Sequence, residues 1–118
     1  MLKNRPFQER LGFAIAGMVA ALRSEQSLRV QLLVAAAVIV LLGWLQPAPL
    51  WWALIGLSIA SVLATELLNT AIEHLADHLH PDLHPRIRDL KDCAAAAVLV
   101  ASLGALCVAA AFVCDLLR

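Results

Sequence analysis

The chain has 118 residues, 62% of them hydrophobic and 15% charged, with no tyrosine and a mean hydropathy of +0.82, so it is far more apolar than a water-soluble domain. Nine basic and nine acidic residues cancel, which removes the charge excess expected of a nucleic-acid or polyanion surface. Neither GxxxxGK[ST] nor GxGxxG occurs, so the common nucleotide loops of soluble proteins are excluded as well.

In residues 1–10, Lys3, Arg5 and Arg10 are not followed by a pure apolar core, and the segment does not read as a cleavable signal. Residues 7–24 place Phe7, Leu11, Ile15, Met18 and Leu22 at helical spacing against Gln8, Glu9, Arg10 and Arg23, the pattern of an amphipathic helix lying on a membrane surface. Gly12 and Gly17 within it would permit the close approach of another helix or a ligand. Residues 29–46 form a first spanning helix, short against the about 20 residues a bilayer requires, with Arg29 and Gln46 as interfacial ends.

Pro47 and Pro49 mark a tight turn, after which residues 50–73 form a second span. Residues 78–92, HLHPDLHPRIRDLKD, read as a polar cytoplasmic connector in which a helix restarts near Pro85 or Arg86. Residues 93–115 form a third span without a formal charge up to Cys114, and Ala94 to Ala97 open one side of it for tight packing. Cys93, Cys107 and Cys114 contain no CxxC pair and read as small packing residues. The fold class is therefore an all-α integral membrane protein, one membrane domain over 1–118, with three transmembrane helices and an N-terminal amphipathic surface helix.

Basic residues orient it. Lys3, Arg5, Arg10, Arg23 and Arg29 precede the first span and Arg86, Arg88 and Lys91 precede the third, whereas the QPAPL turn has none. This puts the N-terminus and the 78–92 connector in the cytoplasm, and the turn and the C-terminus outside. Trp44, Trp51 and Trp52 flank the outer turn, where interfacial indoles are favoured.

Into the second span runs ELLNTAIEHLAD, residues 66–77. At about 100° per residue, Glu66, Asn69, Glu73 and Asp77 fall at roughly 0, −60, −20 and +20°, one narrow stripe. It extends about 16 Å along the axis, from within the membrane to its cytoplasmic surface. A carboxylate at membrane depth costs on the order of 2.5 to 3.5 kcal/mol on insertion scales, and such residues usually mark function. Three thin helices cannot wrap this stripe unaided, which favours self-association.

Glu25 stands just before the first span, at the level of Glu73. Two carboxylates from different helices at one interface suit a hard divalent cation such as Mg²⁺, which keeps waters and takes phosphate oxygens. Lys91 and Asp92 add a positive charge and another carboxylate, and the set suits phosphoryl transfer. His74 and His78 form an i, i+4 pair without a third placed ligand, a weak zinc signal.

ELLNTAIEHLAD, followed by KDCAAAAVL and preceded by RSEQSLRVQLL, resembles the prokaryotic diacylglycerol kinase family, which includes the undecaprenol kinases. The resemblance covers nearly the whole chain in order and spacing. It implies a homotrimeric bundle with active sites shared between subunits, which transfers the γ-phosphoryl group of ATP, with Mg²⁺, to a membrane lipid at the cytoplasmic face of the bacterial inner membrane. It further implies that Glu66 is the general base at the lipid substrate, that Asn69 orients the site, and that Glu25 and Glu73 bind the metal. Asp77, Asp82, Leu83, His84, Lys91 and Asp92 match positions around the nucleotide. Arg29 and Trp44 match positions on the lipid side.

Departures from the family pattern fall around these positions. Phe13 stands beside the nucleotide where Tyr is frequent, Pro6 where some members have Arg, and Ala95 on the lipid side where some have Ser. Gln31 occupies a position that is often Glu in the diacylglycerol branch and often His in the undecaprenol branch. The expected acceptor is diacylglycerol, giving phosphatidic acid, with undecaprenol as the alternative. A small proton-coupled transporter with Glu66 as the carrier is the rival from another class, and it leaves Glu25, Lys91 and Asp92 idle.

Overall fold

A computed structural model describes residues 2–80, 82 and 84–118. A 3-10 turn, Leu2–Asn4, leads into four α-helices: α1 (Phe7–Ser24), α2 (Gln26–Leu45), α3 (Pro49–Leu79) and α4 (Pro85–Leu116). Among the described residues there is no strand. Three of the helices, α2, α3 and α4, are long and apolar enough to cross a membrane.

Local chemistry explains where these helices begin and end. α3 and α4 each carry proline at the first helical position, where its missing N–H breaks no helical bond. Nδ1 of His84 accepts the Arg86 backbone N–H at 3.2 Å and so caps α4. α2 stops at Gln46, which enters the left-handed region at φ 49° and donates its N–H to the Leu42 carbonyl at 2.8 Å. Its side-chain amide then donates to the Gly43 carbonyl at 2.7 Å. The break between α1 and α2 is a single extended residue, Glu25. Arg29 reaches back across it and donates to the carbonyls of Leu22 at 2.8 Å and Arg23 at 3.1 Å, which the end of α1 would otherwise leave open.

The most extensive helix pairing is α3 against α4. α2 packs on α3, and α1 lies against α2 and α3. Near the 46–48 turn, Leu42, Ile55 and Phe112 form a buried cluster covered by Val38, Trp51, Trp52, Ile59 and Val108. Trp51 sits 5.2 Å from the Phe112 ring centroid and donates its indole N–H to Asp115 Oδ2 at 3.0 Å. The indole thus meets an apolar body on one side and a polar acceptor on the other.

Three expectations are refined. α3 does not end near residue 73 but runs on to Leu79, because nothing in Glu73 to Leu79 breaks a helix before Pro81. α4 begins at Pro85, so α3 and α4 between them take up most of the 78–92 stretch. Gly12 and Gly17 meet no other part of the chain: a Cβ at either would find open space. The three cysteines are free and exposed on α4 rather than buried within one chain.

Candidate active site

α3 carries the centre of the site. Measured at 1.5 Å per residue from Pro49, Glu66 lies roughly 25 Å along the helix, Glu73 roughly 36 Å and Asp77 roughly 42 Å, against a hydrocarbon core of about 30 Å. If Pro49 marks one edge of that core, Glu66 lies just inside the other edge and Asp77 lies in water beyond it. Along the stripe burial follows the same order: Glu66 is 8% exposed, Asn69 and Glu73 are half-buried, and Asp77 is exposed.

Each member of the stripe has its own partner. Gln31 of α2 donates Nε2–H to Glu66 Oε1 at 2.8 Å. Asn69 Nδ2 donates to Glu73 Oε1 at 3.4 Å, one turn further along. Glu25, at the α1–α2 break, pairs with His74 Nε2 at 3.4 Å and so stands against the turn of α3 that carries Glu73. Asp77 pairs with Lys91 of α4. Two amide oxygens, Gln31 Oε1 and Asn69 Oδ1, are buried without a partner.

Two clefts adjoin these residues. An apolar cleft of about 530 Å³ runs between α2, α3 and α4 from Gln31 past Val62, Ile59 and Leu42 to Phe112. A polar cleft of about 430 Å³ is lined by His80, Asp82, His84, Ile87, Arg88, Lys91 and Asp92. Lys91 belongs both to this second cleft and, through Asp77, to the stripe on α3. The arrangement therefore sets a charged, water-facing cleft and an apolar, lipid-facing one on either side of a graded row of carboxylates.

The structure brings Asn69 and Glu73 together, Glu25 onto the same turn of α3, and Asp82, His84, Lys91 and Asp92 around one cleft. Leu83 lies outside the described residues. Other expected residues stand apart. Trp44 is 86% exposed near the far end of α2, roughly 20 Å along that helix from Gln31. Phe13 and Ala95 are exposed on α1 and α4. Arg29 caps α1. The sequence reading noted Gln31 only as a departure and did not anticipate its contact with Glu66; a single amide inside an otherwise apolar run was the available signal.

Among the described residues no group of three or more His, Cys, Asp or Glu side chains could hold a metal alone. Glu25 and Glu73 instead fit a hard cation such as Mg²⁺, which is bound through one or two carboxylates and takes its remaining ligands from phosphate and water.

These features define a polytopic membrane protein with a carboxylate-lined centre at one membrane boundary. Comparison with known proteins narrows the class. Residues 12–113 match the family described as prokaryotic diacylglycerol kinase. Similar proteins include an undecaprenol kinase of Bacillus subtilis, 34% identical over 84 residues that make up 71% of this chain and 68% of that protein. A diacylglycerol kinase of Synechocystis sp. is 33% identical over 97 residues, 81% of this chain and 55% of that protein, so this chain spans little more than half of that relative. The chain belongs to the prokaryotic diacylglycerol kinase family: it is a membrane lipid kinase that draws its phosphoryl group from a nucleotide.

Proposed function

We propose that the chain transfers the γ-phosphoryl group of ATP to the free hydroxyl of diacylglycerol, giving phosphatidic acid and ADP, with Glu66 as the general base. The observation that carries this reading is the placement of Glu66. It is a buried carboxylate just inside the expected membrane edge, joined through Gln31 to an apolar cleft and followed on the same helix face by groups that reach water. A lipid hydroxyl sits at that depth, with its chains in hydrocarbon and its head at the interface.

In this reading the hydroxyl O–H breaks as its proton passes to the Glu66 carboxylate. The lipid oxygen forms the new bond to the γ-phosphorus, and the bond to the β-phosphate oxygen breaks as ADP leaves. Asn69 orients the stripe through Glu73. Glu25 and Glu73 would hold Mg²⁺, which when bound would neutralise charge on the phosphates. Lys91 faces the phosphates, and Asp77, Asp82, His84 and Asp92 surround the nucleotide. Arg29, Trp44 and Ala95 lie on the lipid side. The basic residues at the carboxylate end support a cytoplasmic position for that end at the bacterial inner membrane, with the C-terminus outside. The exposed apolar faces of the helices support a homotrimer whose active sites are shared between copies.

Undecaprenol as the acceptor is the second reading, favoured by the similarity to the Bacillus subtilis undecaprenol kinase. Diacylglycerol comes first because the family description names it, as does the relative matching the larger share of this chain. Purified protein in lipid, given γ-labelled ATP with each acceptor side by side, tests both. Faster labelling of diacylglycerol is expected; faster labelling of undecaprenol reverses the order, and no transfer to either overturns the proposal.

A further inference from the structure

Gln31 is the one amide within the apolar stretch 30–45 of α2, where a polar side chain brings nothing to contact with lipid. It reaches from α2 to α3 and donates Nε2–H to Glu66 Oε1 at 2.8 Å. Among the described residues no other side chain donates to this carboxylate. With Nε2 committed to Glu66, Gln31 Oε1 is left buried and without a partner. Turning the amide over would not help, because it would set oxygen against oxygen. Within one chain the amide is therefore held by Glu66 and not by the rest of its surroundings. Gln31 also lines the inner end of the apolar cleft, so the bond is made where an acceptor chain would enter.

We propose that Gln31 is a positioning residue: by binding Oε1 it fixes the rotamer of Glu66 and leaves Oε2 aimed to take the proton of the lipid hydroxyl. This rests on the reading of Glu66 as the base. A carboxylate on two flexible torsions samples several orientations, and only some of them face the hydroxyl. A donor that selects one orientation raises the fraction of bound substrate poised to react. Its loss therefore lowers kcat and leaves binding largely unchanged. A simple pin between α2 and α3 would affect assembly and stability instead.

Gln31→Met keeps the length and fit of the side chain and removes the donor. In full-length protein reconstituted in lipid, kcat is expected to fall about tenfold, with KM for the acceptor and for the nucleotide within about threefold. Gln31→His returns an N–H donor and is expected to recover part of the lost kcat. A Gln31→Met kcat within about threefold of the parent overturns the proposal, as does a change confined to KM or a loss that Gln31→His does not relieve. A fall in kcat that merely tracks a lower unfolding temperature overturns it too. Glu66→Gln assayed alongside separates the two ideas. If Glu66→Gln retains turnover, the base reading itself fails; if it is inactive while Gln31→Met is normal, only the positioning role fails.

Discussion

At the scale of single residues, the site is a gradient, and substitutions along it should separate by what they damage. Glu66→Gln preserves shape and an oxygen that can still accept the Gln31 amide, so folding should survive. Removing a general base costs about 10²- to 10⁴-fold, and turnover should fall by that much while nucleotide affinity, read by equilibrium binding, changes less than about threefold. Lys91 differs. Its pair with Asp77 is largely solvent-exposed, with side chains 35% and 61% accessible, and such a pair contributes no more than about 1 kcal/mol. Lys91→Ala should therefore leave the unfolding temperature unchanged and raise the nucleotide KM about tenfold, the loss expected for one phosphate contact. An unchanged KM would remove Lys91 from the nucleotide site. The stripe Glu66, Asn69, Glu73 and Asp77 was legible from spacing alone, because a helix carries its own periodicity. The Gln31 contact was not, because it depends on how α2 is rotated against α3, and periodicity within one helix says nothing about its neighbour.

At the scale of elements, two devices set the geometry at opposite ends of the bundle. Arg29 matched a lipid-side position in the sequence reading, yet its guanidinium closes the end of α1 through the Leu22 and Arg23 carbonyls. Arg29→Ala should loosen that last turn by about 1 to 2 kcal/mol, seen as faster amide exchange at residues 20–25, with α2 to α4 unaffected. Uniform protection across α1 would show that other contacts hold it. At the other end, Phe112 closes the cluster with Leu42 and Ile55 and meets the Trp51 ring at a tilt of 57°. Phe112→Ala should cost less than the about 3 to 5 kcal/mol typical of water-soluble cores, because lipid tails refill part of the space. It should lower the unfolding temperature in detergent and leave kcat nearly unchanged, since the cluster lies far from Glu66. The three spans were legible because length and hydropathy alone define them. The continuation of α3 to Leu79 was not, since a change from apolar to polar residues marks a membrane edge without ending a helix.

At the scale of the whole molecule, a single chain is extended, with long apolar faces left open. Its radius of gyration is 17.2 Å and its extents are 52 × 38 × 23 Å, whereas a compact chain of this length has a radius near 13 to 14 Å. α1 leaves Phe7, Leu11, Phe13 and Ile15 exposed, and α2 leaves Leu33, Val40 and Trp44 exposed. Lipid can cover apolar faces, but it cannot satisfy the buried oxygens of Gln31 and Asn69, which lie beside the proposed base. Further copies of the chain would supply what lipid cannot: side chains around a polar stripe, together with closer walls for the cleft between α2 and α4. With three copies, the protein mass in a detergent micelle should be three times 12.7 kDa, about 38 kDa, by light scattering corrected for bound detergent. Activity should fall on dilution into excess detergent in step with loss of that species. Full turnover from a species of one chain would mean that one copy completes the site, and the unpaired amide oxygens would then have to be satisfied by water reaching the inner end of the cleft.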